Sequence, residues 1–183
     1  MNENLLCRKL SRRKFLVLSA HSTAGIILAQ SMPGFAAHTP GDYLSFYHTH
    51  TRETLKLNLK EKSSKMLRTV NRFLRDFRTG EVRSIDPQLL DILGRIQKLS
   101  GRSGTFEVIS GYRSAATNQM LRKASNKVAK KSLHMAGQAI DVRLTGLRTR
   151  DLRDLACSLK KGGVGYYPDS NFVHIDTGRV RTW

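Results

Sequence analysis

Three residues in the C-terminal half are of the types that hold a hydrolytic metal. They are His134 and Asp141, in Ser132-Leu-His-Met-Ala-Gly-Gln-Ala-Ile-Asp141, and His174, in Asn171-Phe-Val-His-Ile-Asp176. Two imidazoles and one carboxylate leave a zinc ion an open coordination position for water or a substrate carbonyl, the minimum that a metallohydrolase needs. A lone His on a strand is more often structural. Three such groups carry chemistry only if the chain brings them together, so the elements around them decide the matter.

Side chains alternate across a strand. The segment Ala139–Leu144 predicts a strand with Ala139, Asp141 and Arg143 on one face and Ile140 and Val142 on the other. In the same way Phe172, His174 and Asp176 share a face, with Val173 and Ile175 opposite. Both strands then turn apolar residues into a core and present Asp141 and His174 on a common surface. His134 lies on the loop that feeds the first strand, and Gly137 lets the chain turn between them.

The remaining periodicity supplies a scaffold. Tyr43–His48 and Thr54–Leu59 read as a hairpin. His48 and His50 have a gap that suits a metal, but their polar hairpin predicts exposure. Met66, Leu67, Val70, Phe73, Leu74 and Phe77 recur at helical spacing until Thr79-Gly80. Asp86-Pro87 opens a second helix with Leu89, Leu90, Leu93, Ile96 and Leu99 inward. Phe106–Ser110 is a short strand, followed by a helix from Ala115 to about Ala124 and a basic loop over Ser125–Ser132. Thr149–Lys160 is an amphipathic helix. Val164–Tyr167 and Phe172–Ile175 pair across Pro168-Asp169-Ser170. This order predicts an α+β domain, with helices packed on a small, mainly antiparallel sheet that carries the zinc site.

Composition narrows the partners. The 183 residues carry 32 Lys and Arg against 14 acidic residues, a formal charge of +18, of which +14 lies on residues 38–183. Such a body is attracted to anionic polymers, cell-wall murein among them. No nucleic-acid module accompanies the charge, so nucleic acid is not an expected partner. Residues 8–37 read as a leader: Ser11-Arg-Arg-Lys-Phe-Leu16 is a twin-arginine box, a short and diluted apolar stretch follows, and Gly34-Phe-Ala36 offers a cleavage site. The expected division is a twin-arginine signal peptide over residues 1–37 and a peptidase domain over residues 38–183. That implies export to the periplasm without a lasting membrane anchor. Cys7 falls in the leader, and Cys157 reads as a small apolar helix residue.

Several blocks taken together resemble a known family. Ser132-x-His134-x-x-Gly137-x-Ala139-x-Asp141, preceded by Ser110-Gly-Tyr-Arg-Ser114, is similar to the M15-type zinc D,D-peptidases of the wider LAS metallopeptidase group. Gly162-Gly-Val-Gly-Tyr-Tyr-Pro168 through Asn171-Phe-Val-His-Ile-Asp-Thr-Gly178 most resembles the murein endopeptidase K subfamily. The resemblance implies zinc bound by His134, Asp141 and His174, with Arg113 polarising the scissile carbonyl and Ser132 contacting substrate. It implies hydrolysis of peptide cross-links in peptidoglycan beside meso-diaminopimelate, the 3-3 links above all and the 4-3 links as a further class. Tyr166 and Tyr167 are groove candidates, and Tyr166 is taken as substrate-binding.

One position departs from the pattern. Many M15-type enzymes carry Glu or Asp as general base three residues before the last His ligand, where this chain has Asn171. Asp176 is the substitute expected as proton acceptor, with ligand orientation as its competing role. Two alternatives to the endopeptidase stand beside it: a carboxypeptidase releasing D-Ala, and a non-catalytic, zinc-dependent wall-binding module.

Overall fold

The computed structural model describes residues 42–61, 63–125 and 128–183. The leader reading of residues 1–37 and part of the basic loop, residues 126–127, lie outside the described residues. Strands β1 (Tyr43–His48) and β2 (Thr54–Asn58) form the expected antiparallel hairpin. Helix α1 (Ser64–Phe73) starts where Ser63 accepts a hydrogen bond from the Met66 amide. Helix α2 (Pro87–Ser100) is capped by Asp86 with Pro87 in its first turn, and ends at Gly101 in the left-handed region at φ 63°.

The chain continues through β3 (Thr105–Ser110), α3 (Ala115–Ala124), a 3-10 turn (Leu133–Ala136), β4 (Ala139–Leu144) and α4 (Thr149–Leu159). It finishes with β5 (Gly163–Tyr167), β6 (Phe172–Asp176) and a two-residue β7 (Arg181–Thr182). The seven strands make one sheet in the order β2-β1-β3-β4-β6-β5-β7. Pairing is antiparallel except for β1 with β3 and β5 with β7. The α+β expectation stands, with a larger sheet than the sequence predicts.

One face of the sheet is apolar. Leu44 and Phe46 of β1, Phe106 and Val108 of β3, Ile140 and Val142 of β4, and Val173 and Ile175 of β6 are buried there. Leu93 and Ile96 of α2 and Leu152 and Ala156 of α4 join the same core. Phe73 of α1 meets Phe46 at 6.0 Å between ring centroids. Each buried aliphatic or aromatic side chain contributes about 1.5–3 kcal/mol of transfer free energy. The opposite face is polar, and the loop leading to the 3-10 turn borders it near the metal-type residues.

Three local expectations need correction. Helix α1 stops at Phe73 instead of continuing to residue 79. Its end is pulled away because the Leu74 carbonyl accepts from the Tyr112 amide at 2.8 Å. Buried Asp76 then organises the following loop by accepting from the amides of Arg78 and Ser114 at 2.9 and 2.8 Å. Leu99 is 54% exposed, since α2 ends beyond the core. His48, expected in solvent, is fully buried. It lies on the core face of β1 with Leu44 and Phe46, edge-on to Phe73 and Phe77. His50 is exposed as expected and stacks on Phe77, with centroids 4.0 Å apart.

Candidate metal centre

Strands β4 and β6 pair in a register that sets Asp141 directly against His174. The two side chains therefore emerge side by side on the polar face. His134 arrives from the 3-10 turn, which ends at Gly137 with φ 70°. A Cβ at Gly137 would collide with the Ser84 carbonyl, so glycine is required there on two counts. A β-bulge between Val108 and Ser110 brings Ser110 opposite Asp141 and sends the chain into the Gly111–Arg113 turn beside the site.

The three ligand-type atoms converge. His134 Nε2 is 3.2 Å from Asp141 Oδ1 and 3.2 Å from His174 Nδ1, and His174 Nδ1 is 2.8 Å from Asp141 Oδ1. All three residues are buried. Each imidazole has its other nitrogen committed. His134 Nδ1 donates to the Gly111 carbonyl at 2.7 Å, which leaves the Nε2 lone pair for the centre. His174 Nε2 meets Asp176 Oδ2 at 3.1 Å, which leaves Nδ1. Fixing a metal-binding imidazole through its second nitrogen is the usual outer arrangement of such sites. Among the described residues, this is the one cluster of His, Cys, Asp or Glu whose ligand atoms lie close enough to share an ion. The donor set, two nitrogens and a carboxylate oxygen, fits a catalytic zinc or a similar divalent metal.

Electrostatics agree with that assignment. Burial alone would raise the Asp141 carboxyl, but the His134 and His174 imidazoles outweigh it and hold the carboxyl well below its usual range. Burial alone would lower His174, yet hydrogen bonds to Asp141 and Asp176 raise it to about 9. Burial lowers His134 despite Asp141. The centre therefore keeps one firm anion facing one neutral imidazole and one proton-rich imidazole. A divalent cation would take the place of that proton.

Asp176 does not face the cavity. It is 1% exposed and accepts from five groups: His174 Nε2, the Gly163 and Gly178 amides, and both terminal nitrogens of Arg181. The shortest of these bonds, from Arg181 Nη2, is 2.7 Å. Burial pushes its carboxyl upward, but the bonds from His174 and Arg181 prevail and keep it ionised. The carboxylate sits behind the His174 ring with its lone pairs taken, a placement that suits its competing role of ligand orientation better than that of proton acceptor. Asn171 also turns away, because its Oδ1 accepts from Thr149 Oγ1 at 3.1 Å. It borders a separate cavity of about 400 Å³ beside Glu107, Arg143 and Arg148, which has no such ligand cluster.

A cavity of about 490 Å³ opens over the three convergent atoms. Arg113, Lys131, Ser132, Tyr167, Phe172 and Trp183 are among its lining residues. Arg113 Nη2 reaches Ser110 Oγ at 3.2 Å and Asp141 Oδ2 at 3.5 Å, and its buried Nε has no acceptor among the described residues. Ser132 lines the cavity and does not cap the 3-10 turn with its hydroxyl. Tyr166 points the other way. It pairs in register with Val173, packs on the core, and carries Arg153 at 4.8 Å from its ring. Tyr167, which pairs with Phe172, is the tyrosine that faces the cavity.

The sequence reading missed Arg181 and Trp183. Their signal is the Gly163-Val-Gly165 pattern of β5. A Cβ on Gly165 would lie 2.6 Å from the Trp183 ring, and one on Gly163 would collide with Arg181. Those two missing side chains make room for the last residues of the chain next to His174.

This sheet carries a buried His-Asp-His cluster with an arginine adjoining it. The family model described as peptidoglycan L,D-endopeptidase MepK matches residues 36–183, and the chain belongs to that family. Peptidoglycan L,D-endopeptidase MepK of Escherichia coli strain K12 is 43% identical over 178 residues, covering 94% of this chain and 97% of the relative. The protein of the same name from Shigella flexneri matches to the same extent. A Haemophilus influenzae protein named probable peptidoglycan L,D-endopeptidase MepK is 41% identical over 177 residues, covering 94% of this chain and 95% of its own length. No solved structure gives a significant match.

Proposed function

We propose that this chain is a zinc-dependent endopeptidase that hydrolyses peptide cross-links of peptidoglycan beside meso-diaminopimelate, the 3-3 links above all. The observation that carries the proposal is the convergence of His134 Nε2, Asp141 Oδ1 and His174 Nδ1 beside an open cavity, within a family of peptidoglycan endopeptidases. Zinc, when bound, supplies Lewis acidity that polarises a carbonyl and acidifies water.

The chain's own residues supply the rest. His134 and His174 present fixed lone pairs, and Asp176 holds the second ring in its tautomer. Arg113 lines the cavity, and its guanidinium serves the scissile carbonyl oxygen as that oxygen gains charge. Ser132 offers a hydroxyl to the substrate backbone, and Lys131 an ammonium to stem-peptide carboxylates. The high positive charge draws the enzyme to an anionic wall polymer.

Digestion of purified cross-linked muropeptide dimers, with zinc and with chelator, tests the reading. Release of monomers by the zinc-loaded protein alone is expected, and no release overturns it. His174→Ala should abolish hydrolysis of sacculi while leaving sacculus binding intact.

The proposal extends to location. The Ser11-Arg-Arg-Lys-Phe-Leu16 box supports twin-arginine export to the periplasm. Arg12→Lys with Arg13→Lys should block export, and unchanged export would count against that route. No helix among the described residues is long and apolar enough to cross a membrane.

A further inference from the structure

With Asp176 enclosed and Asn171 turned away, Asp141 is the one Asp or Glu among the described residues that lines the cavity over the metal-type atoms. Its hydroxyl-bearing lining residues are Ser132, Tyr167 and Ser170. Tyr167 is held with particular definition. Its ring stacks on Phe172 with centroids 4.6 Å apart and planes 19° from parallel, and its hydroxyl oxygen accepts from Trp183 Nε1 at 2.9 Å.

Trp183 is itself fixed. Its amide donates to the Val164 carbonyl at 3.3 Å, and its carbonyl accepts from the Tyr166 amide at 3.0 Å. The indole rests over Gly165, carries the Arg181 guanidinium at 4.8 Å, and stands 5.2 Å from the His174 ring. One indole therefore touches a metal-type ligand and also orients the Tyr167 hydroxyl.

A phenol that accepts a hydrogen bond becomes a stronger donor through its own hydrogen. Among the described residues no acceptor takes that hydrogen, and Tyr167 belongs to the cavity lining. Arg113 and Tyr167 line the same cavity over the metal-type atoms.

We infer that Tyr167 is a catalytic residue, whose hydroxyl donates a hydrogen bond to the scissile carbonyl oxygen as it becomes an oxyanion, sharing that oxygen with Arg113. Trp183 is the positioning residue that aims the hydroxyl. This inference rests on the peptidase reading above. No bond is made or broken at Tyr167, because the hydrogen stays on the phenol throughout. A tyrosine present only for packing on Phe172 gains nothing from its hydroxyl, which makes Tyr167→Phe the informative change.

The test compares wild type, Tyr167→Phe and Trp183→Phe, each loaded with zinc, on purified cross-linked muropeptide dimers. Tyr167→Phe should lower kcat 10- to 100-fold and leave KM within about 3-fold, as for a contact made only in the transition state. Trp183→Phe should lower kcat by about 3- to 10-fold. A phosphinate pseudopeptide, whose tetrahedral P–O⁻ mimics the oxyanion, should bind Tyr167→Phe more weakly by the same factor as its loss in kcat/KM. Zinc affinity and melting temperature should not move in Tyr167→Phe.

Retention of kcat within 2-fold in Tyr167→Phe overturns the inference. So does a loss of rate matched by a loss of zinc affinity or melting temperature, which would make Tyr167 a structural support. If zinc-loaded wild type cleaves no cross-link, the parent reading falls and takes this one with it. If wild type cleaves and Tyr167→Phe cleaves equally well, this inference falls alone.

Discussion

His174 is bound on both sides by carboxylates: its Nδ1 is 2.8 Å from Asp141 Oδ1 and its Nε2 is 3.1 Å from Asp176 Oδ2. The first carboxylate shares the centre with the ring, and the second holds the ring from behind. The two nitrogens of one side chain thereby separate two roles that the sequence alone leaves merged at Asp176. Asp176→Asn should weaken zinc binding 10- to 100-fold, the usual consequence of losing an orienting carboxylate. Competition with a chromophoric chelator measures it. Were Asp176 the proton acceptor, the variant would bind zinc normally and lose kcat even at saturating metal.

Asn171 occupies the position where many relatives of the M15 type have an acid. Its side chain bonds Thr149 and borders the separate cavity near Arg143. A carboxylate placed there does not reach the centre. Asn171→Asp should therefore leave kcat on muropeptide dimers within about 2- to 3-fold of wild type, as expected of an exposed change outside the machinery. A large gain in rate would mean that the loop re-aims this residue when substrate binds.

Metal binding and stability are linked. A ligand that binds only the folded state adds about 2.7 kcal/mol when present at 100 times its dissociation constant. Zinc at that excess should raise the melting temperature of wild type, and chelator should reverse the rise. His134→Ala should melt at the same temperature with and without zinc. Differential scanning calorimetry of the two proteins distinguishes a site on the fold from adventitious binding to the chain's other histidines.

His48 gives the fold a dependence on acid. Its Nδ1 accepts from the amides of His50 and Thr51 at 3.3 and 3.4 Å, so the ring must be neutral to fit. Burial, then the neighbouring His50, lowers its pKa from 6.5 to about 4. The unfolded chain binds more protons than the folded one between those values, so stability is full above pH 6.5 and declines as pH falls towards 4. At pH 5 the contribution lost is about 2 kcal/mol. Urea midpoints at pH 7 and pH 5 should fall further for wild type than for His48→Asn.

Much of the centre was legible because strand alternation is a strict rule. The pattern around Asp141 and His174 predicts their common face, and the register of β4 with β6 adds their direct cross-strand pairing. Alternation also held two signals that went unused. Leu44-x-Phe46-x-His48 places His48 on the core side of β1, a placement hidden by the polar turn beside it. The tyrosines of β5 face opposite sides, but which one shares the His174 face depends on the hairpin register, and Tyr167 pairs with Phe172 there.

Arg181 and Trp183 were out of reach for another reason. A two-residue strand has no periodicity to read, and its parallel pairing with β5 is a tertiary event. The end of α1 was missed similarly, because its apolar spacing runs on to Phe77 while the Leu74 carbonyl and Asp76 are claimed by residues near 112–114.

Gly163 and Gly165 give the centre an outline made of absences. Neither offers a functional group, yet a methyl at either point would meet Arg181 or Trp183, the two residues that steady the wall behind and beside His174. Variation at these positions is constrained by volume alone. Ligands tolerate no change of chemistry, and these two glycines tolerate no gain of size. A catalogue of harmful substitutions in this protein would trace the same site twice, once through its reactive atoms and once through the empty space that lets the chain close around them.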